Sequence, residues 1–166
     1  MDDCLDPVLV EEAGRVIAAN IAAGRRIAVA ESCTGGLVSA ALTSIAGSSA
    51  VFEAGYVTYS NEAKMDMLQV DSNILETFGA VSIATAWGMA QGALARSNAD
   101  AAVAITGIAG PDGGSEQKPV GTVVFARALR GGDPEDVIAD TRQFGNIGRG
   151  AIRLHAALVA LELLMP

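Results

Sequence analysis

The sequence predicts a single α/β domain over residues 1–166, a three-layer α/β/α sandwich with a mixed, mostly parallel central sheet. Three observations favour this fold class. Apolar β-prone runs alternate with segments of helical periodicity, which is typical of parallel strands covered by helices. Hydrophobic residues make up 51% of the chain and charged residues only 18%, which supplies enough apolar surface for a buried core. Two late apolar runs joined by a turn-rich segment predict a hairpin, and this makes the sheet mixed.

Each element is predicted from the period of its apolar residues and from its start and stop residues. Helices are expected over residues 7–23, 37–45, 61–68, 82–97 and 149–164, and strands over residues 26–30, 51–59, 100–106, 120–129 and 137–144. Gly24 is a candidate C-cap of the first helix. Ser60 or Asn61 is a candidate N-cap of the short third helix, and Ser82 is one for the fourth. No repeat or linker divides the chain.

Charge and composition limit the classes of partner. The formal net charge of -8 argues against binding nucleic acid through a broad basic surface, but it allows an anionic small molecule. No run of about 18 apolar residues is present to span a bilayer, and no signal-peptide pattern is seen, so we expect a cytoplasmic protein. One histidine and two cysteines leave no sensible zinc site, and neither a P-loop nor a Rossmann glycine motif is found. We therefore expect no metal and no cofactor.

The sequence ESCTGG, residues 31–36, lies between an apolar strand and a helix, which is where open α/β sheets bind ligands. Ser32 is the candidate nucleophile. Thr34, Gly35 and Gly36 are candidate binding residues, because glycines let backbone N–H groups approach a ligand at a helix N-terminus. The alternative interpretation is a capped helix entry in which Ser32 or Thr34 is the N-cap.

Lys64 is the candidate general base. The chain has nine arginines but only two lysines, Lys64 and Lys118. An arginine cannot be deprotonated in a protein, whereas a desolvated lysine near the positive end of a helix dipole can. The alternative is a solvated surface lysine. A Ser–Lys pair is a simpler arrangement than a triad that recruits His155, and Cys33 is a rival nucleophile without an evident histidine partner.

Further candidates lie in loops and at the last helix. The glycine-rich residues 106–114 follow an apolar strand and predict backbone amides that face a ligand, with a mobile surface turn as the alternative. Ser48 and Ser49 are candidates for binding phosphate or carboxamide, although serines also simply form turns. Arg149 and Arg153 are able to pair with a phosphate, and ordinary surface charge is the alternative.

Four runs closely resemble the CinA C-terminal domain family, and the resemblance covers nearly the whole chain. They are AESCTGG, IAGSSAVFEAGYVTYSNEAK, GAVS and TGIAGPDGGSEQKPVGTVVFA. The resemblance implies the same three-layer fold and the hydrolysis of nicotinamide mononucleotide to nicotinate mononucleotide and ammonia, a step of pyridine nucleotide salvage. It implies a Ser/Lys amidohydrolase without metal, with Ser32 as the nucleophile and Lys64 as the general base.

The resemblance also implies three positions that orient the dyad or the substrate: Ser49, Tyr59 and Thr106. Amides of the ESCTGG turn or of a turn at Thr106–Gly107 would stabilise the oxyanion. Arg149 best matches the family's arginine near the last helix. The spacing here is one residue longer and an acidic neighbour is missing, so Arg142 and Arg153 stay open for that role.

Other functions remain open at this point. One is a non-catalytic nucleotide-binding module that regulates competence or the DNA-damage response, and another is hydrolysis of a different nucleotide or amide. Ser49 is the alternative nucleophile. The apolar last helix and the resemblance lead us to expect a homodimer.

Overall fold

The computed structural model describes residues 4–166. Its helices are α1 (Pro7–Ala23), α2 (Leu37–Ser44), α3 (Asn61–Leu68), α4 (Ser72–Phe78), α5 (Ile83–Ala95) and α6 (Arg149–Leu163). Its strands are β1 (Ile27–Glu31), β2 (Phe52–Val57), β3 (Ala101–Gly107), β4 (Thr122–Leu129) and β5 (Ile138–Gln143). None of the helices in residues 4–166 has both the length and the apolar character needed to cross a bilayer.

The five strands form one sheet in the order β2-β1-β3-β4-β5. Strand β1 pairs in parallel with β2 and with β3, while β3 with β4 and β4 with β5 pair antiparallel. Strand β4 therefore runs against the other four. The predicted mixed, mostly parallel sheet is confirmed, and the predicted hairpin is the β4–β5 pair.

Helices cover both faces of the sheet, because alternate strand residues point to opposite sides. On one face, large apolar residues of β1 and β3 pack against α1, α2 and α6: Ile27, Val29, Val103 and Ile105. On the other face, small residues of the same strands pack against α5: Ala28, Ala30, Ala102 and Ala104. The three-layer prediction is thereby confirmed.

The carboxyl ends of β2, β1 and β3 lie side by side at one edge of the sheet. Glu31, the last residue of β1, is in register with Val57 of β2 and Ile105 of β3. Beyond the strands, the Thr58 N–H donates to Glu31 O at 2.8 Å and the Ser32 N–H donates to Ile105 O at 2.9 Å. The polar residues that follow the three strands are therefore brought together at this edge.

Two local elements differ from the prediction. Helix α4 was expected to be part of a connector, because its seven residues are too few to show a helical period. Its start is nevertheless fixed by Asp71, whose side chain accepts a hydrogen bond from Asn73 N. The loop before β2 contains a short 3-10 turn, Ser48–Ala50, rather than only irregular chain.

Candidate active site

Ser32 lies at the carboxyl end of β1, in a tight turn that leads into α2. Gly35 N donates to Ser32 O at 3.0 Å and closes this turn. Gly35 and Gly36 have φ angles of 59° and 94°, in the left-handed region that favours glycine, so the turn requires both residues. The side chain of Ser32 is 7% exposed. The sequence ESCTGG therefore forms a tight turn, and the N-cap of α2 is Gly36 rather than Ser32 or Thr34.

Glu31 organises the start of α2. Its fully buried carboxylate accepts hydrogen bonds from Gly36 N (3.1 Å), Val38 N (3.1 Å), Ser39 N (2.9 Å) and Ser39 Oγ (2.7 Å). A negative charge at a helix N-terminus satisfies amides that have no partner inside the helix. Sequence reasoning missed this role, because a capping carboxylate six residues before the first residue of the helix is not one of the standard cap patterns.

The hydrogen bonds of this turn contradict the prediction that the Gly35 and Gly36 amides bind a ligand. Gly36 N is bonded to Glu31 and Gly35 N is bonded to Ser32 O, so neither glycine amide is free to contact a ligand. The function of these glycines is to form the turn. The N-terminus of α2 is likewise occupied by the chain's own carboxylate.

Lys64 reaches the Ser32 hydroxyl from α3. Ser60 is the N-cap of this helix, its hydroxyl accepting from Ala63 N at 3.0 Å, and Lys64 lies in the first turn. The Lys64 side chain is 1% exposed. Its Nζ lies 3.0 Å from Ser32 Oγ, 2.8 Å from Thr58 O and 3.4 Å from Tyr59 O. The predicted partners are therefore in hydrogen-bond contact, and the solvated-lysine alternative is wrong.

Burial shifts the pKa values of the two groups next to Ser32. It lowers the pKa of Lys64 below its ordinary value, because the ammonium form loses hydration. It raises the pKa of Cys33 to about 11, and the nearby negative charge of Glu31 adds to this. Cys33 belongs to the apolar cluster under α1, α2 and α6. A buried thiol with so high a pKa is a poor nucleophile, which removes Cys33 as a rival.

Tyr59 and Arg149 form an exposed rim beside Ser32 and Lys64. Arg149 Nη2 donates to the Tyr59 hydroxyl at 3.0 Å, and Nη1 donates to Gly110 O at 2.7 Å. Arg149 is the first residue of α6, and Gly110 belongs to the glycine-rich loop. The rim thus joins three separate segments. One of them includes Tyr59, whose backbone carbonyl contacts Lys64 Nζ.

Thr106 lies next to Ser32 across the sheet but makes its hydrogen bond elsewhere. Its hydroxyl, 1% exposed, donates to Ala80 O at 2.8 Å and ties β3 to the segment before α5. Thr106 and Gly107 are the last residues of β3, so the expected turn at these two residues is a strand end and the loop begins after them. The hydroxyl of Thr34 is buried and makes no hydrogen bond within residues 4–166.

The structure does not bring Ser49 to this site. Ser49 is exposed on the 3-10 turn before β2, two residues before Val51, whose carbonyl accepts from Ile27 N at the start of β1. Ser32 follows the other end of β1, five residues and about 16 Å further along a strand that rises about 3.3 Å per residue. The expectation that Ser49 orients the dyad within one chain, or replaces Ser32 as nucleophile, is therefore corrected. The neighbouring Ser48 shares this position.

The remaining candidates, Arg142, Arg153 and His155, lie on β5 and α6. Arg142 forms an exposed ion pair with Asp140 on β5 at 2.6 Å. His155 is exposed on α6, with its ring centroid 5.7 Å from that of Phe144. Arg153 contacts the backbone of the Ser32 turn. In the part of the chain that the structure describes, no three His, Cys, Asp or Glu side chains are grouped as metal ligands would be.

Comparison with known proteins identifies the family. Residues 10–166 match the profile of the CinA C-terminal domain, which is almost the whole chain. The chain belongs to the CinA C-terminal domain family. Among curated members, the nicotinamide-nucleotide amidohydrolase PncC of Enterobacter agglomerans is 50% identical over 141 residues, covering 85% of this chain and 84% of that protein.

Longer relatives and a solved structure agree with this assignment. A CinA-like protein of Mycolicibacterium vanbaalenii is 54% identical over 146 residues, and the match covers 88% of this chain but 34% of the relative. The chain thus spans about a third of the length of such CinA-like relatives. The crystal structure of the competence/damage inducible protein CihA from Agrobacterium tumefaciens superposes with a TM-score of 0.92 at 51% identity, covering 98% of this chain and 97% of the other.

Proposed function

We propose that the protein hydrolyses the carboxamide of nicotinamide mononucleotide to nicotinate mononucleotide and ammonia, with Ser32 as nucleophile and Lys64 as general base. The observation that carries this proposal is the 3.0 Å contact between Lys64 Nζ and Ser32 Oγ, made by a lysine that is 1% exposed. Within residues 4–166 Lys64 forms no salt bridge with a carboxylate. A buried amine without a counter-ion favours the neutral, basic form.

The hydrogen bonds of Lys64 fit a neutral amine. Such an amine has two N–H donors and one lone pair. The carbonyls of Thr58 and Tyr59 accept the two N–H groups, at 2.8 and 3.4 Å. The lone pair is then left for the proton of Ser32. With both N–H groups on these carbonyls, the lone pair of the neutral amine faces Ser32 Oγ, as a general base needs.

The reaction proceeds through an acyl-enzyme. Ser32 Oγ bonds to the carboxamide carbon while its proton moves to Lys64 Nζ, and a tetrahedral oxyanion forms. The C–N bond then breaks, and the departing nitrogen takes the proton from Lys64 and leaves as ammonia. A water molecule attacks the ester and gives its proton to Lys64, which returns it to Ser32 as the carboxylic acid departs. One water is consumed and one ammonia is released.

The rim supports an anionic substrate. Arg149 presents a guanidinium at the surface, held by the Tyr59 hydroxyl and Gly110 O, and a guanidinium suits the oxygens of a phosphate. The substrate is proposed because the Enterobacter agglomerans relative bears the name nicotinamide-nucleotide amidohydrolase. The same proposal includes a cytoplasmic homodimer that binds a small nucleotide, and the net charge of -8 disfavours nucleic acid as a partner.

The experiment is an ammonia-release assay with nicotinamide mononucleotide, free nicotinamide and the dinucleotide side by side. We expect the mononucleotide to be preferred, and Ser32→Ala and Lys64→Met to lose at least about 1000-fold in kcat. Cys33→Ala is the matched control beside Ser32 and should keep its activity. Mass spectrometry of the quenched reaction should locate the acyl group on the Ser32 peptide.

Two outcomes would overturn the proposal. Ligand-induced thermal stabilisation without ammonia release would indicate the nucleotide-binding regulatory module instead. Full turnover by Lys64→Met would refute the dyad, even if the substrate is correct.

A further inference from the structure

Arg153 contacts the turn that carries Ser32 and takes no part in the proton transfers between Ser32 and Lys64. It lies on α6, on the opposite side of the turn from α3. Its Nε donates to Cys33 O at 3.2 Å and its Nη2 donates to Thr34 O at 2.9 Å. Within residues 4–166 it forms no salt bridge with a carboxylate. A full positive charge is thus directed at two successive backbone carbonyls.

These contacts fix the direction of two peptide planes. In a trans peptide the C=O and the N–H point in opposite directions. The Thr34–Gly35 peptide shows this, because its carbonyl accepts from Arg153 while its N–H donates to Ser32 O. By the same rule, holding Cys33 O toward α6 turns the N–H of Thr34 away from α6. That N–H donates to no acceptor in the described part of the chain.

We infer that Arg153 is a positioning residue that holds the Ser32 turn so that the Thr34 N–H donates to the oxyanion of the tetrahedral intermediate. This inference rests on the proposed function. Side chains two residues apart on a strand point to the same face, so Ser32, which follows β1, points to the same face as Ala30. The side chain of Ala30 packs on the α5 face, and α6 covers the other face. The Thr34 N–H is therefore directed to the side from which Ser32 attacks. The guanidinium suits this task because its planar donors span two carbonyls at once.

The test compares Arg153→Met and Arg153→Lys with Arg15→Met. Arg15 is the matched control, since its side chain is 66% exposed in an ion pair on α1. We expect Arg153→Met to lower kcat about 100-fold and to change KM by less than about threefold, as expected for loss of an oxyanion donor. Lysine should restore only part of the rate, because a single ammonium does not span both carbonyls. Guanidinium ion at millimolar concentration should restore part of the rate of Arg153→Met.

A second measurement separates this inference from the choice of substrate. A fluorophosphonate probe reacts with an activated serine and also forms an oxyanion, so its labelling rate at Ser32 needs no knowledge of the natural substrate. We expect Arg153→Met to label about 100-fold more slowly than the wild type. If the wild type releases no ammonia but this difference is found, the substrate proposal fails and the inference about Arg153 stands.

Three results would overturn the inference. The first is an unchanged kcat and labelling rate in Arg153→Met. The second is a raised KM at constant kcat, which would assign Arg153 to substrate binding. The third is a loss of activity that matches the unfolded fraction measured by circular dichroism and is not rescued by guanidinium, which would leave Arg153 with a purely structural role.

Discussion

At the scale of single residues, the proposed role of Lys64 as general base places it in a position that is unfavourable for stability. Its side chain is buried in contact with Ser32, and the ammonium form is disfavoured there because it loses hydration. A folded protein tolerates such a group when a function requires it, and the stability that is lost is supplied by other parts of the fold. We therefore expect the lowered pKa to affect both the rate and the free energy of unfolding.

The pH dependence of Lys64 has a definite sign. In the unfolded chain the amine keeps its proton up to about pH 10.4, and in the native protein it loses the proton at a lower pH. Between these two values the unfolded state binds more protons, so the free energy of unfolding rises with pH. Below the native pKa of Lys64 the amine is charged in both states, and the native state bears the full free-energy cost of burying that charge. The rate of ammonia release should increase through the same native pKa, because only the neutral amine accepts the proton of Ser32.

The measurement is urea unfolding of the wild type and of Lys64→Met from pH 7 to pH 10. We expect the unfolding free energy of the wild type to rise with pH relative to that of Lys64→Met. Near neutral pH, Lys64→Met should be at least as stable as the wild type. A difference that is independent of pH would contradict a lowered pKa. Titration of other groups cancels in the comparison.

At the scale of secondary-structure elements, the turn between β1 and α2 depends on the buried carboxylate of Glu31. Glu31→Gln keeps the shape but replaces one acceptor oxygen with a donor group, which then faces backbone N–H groups. We expect a loss of about 2–4 kcal/mol in unfolding free energy, because buried donors lose a charged acceptor. Thermal and urea unfolding measure this loss.

The control for Glu31 is Glu12→Gln on α1. Glu12 forms a surface ion pair with Arg15, and such pairs contribute about 0–1 kcal/mol. Equal losses in the two variants would show that the four hydrogen bonds of Glu31 contribute no more than an exposed pair.

The elements also show which local signals predict structure. Helix α1 was predicted at its observed limits, because Gly24 and the apolar period are both local features. The Ser60 cap and the position of Lys64 on a short helix were predicted for the same reason. Glu31 was missed because its partners lie five to eight residues away in a turn of unusual geometry. Ser49 was misplaced, although in a parallel pair the residue before β2 must lie at the opposite edge from the residue after β1.

At the scale of the whole molecule, the distance between Ser32 and Lys64 depends on how closely two layers approach. Ser32 is carried by the sheet and Lys64 by α3, which packs against α5. Gly92 of α5 allows this close approach, since a Cβ built at this position would lie 2.1 Å from Leu68 O, the carbonyl at the end of α3. The alanines of β1 and β3 beneath α5 have the same effect, because small side chains bring the helix close to the sheet. The fold thus determines the distance between Ser32 and Lys64 through residues that lie outside the proposed dyad.

Gly92→Ala tests this dependence, with Gly88→Ala as its control one turn earlier on α5. A Cβ at Gly88 would lie 3.5 Å from a Val70 methyl, an ordinary contact, so this variant should be neutral or up to about 1 kcal/mol more stable, because alanine is the better helix former. Gly92→Ala must push the end of α3 outward, which should cost about 1–3 kcal/mol and should lower kcat at temperatures where the protein remains folded. Unfolding curves of both variants measure the change in stability, and ammonia-release assays measure the change in kcat. Equal stability and equal kcat of the two variants would mean that α3 can shift without cost. The position of Lys64 would then be determined by its own hydrogen bonds rather than by the packing of α3 on α5.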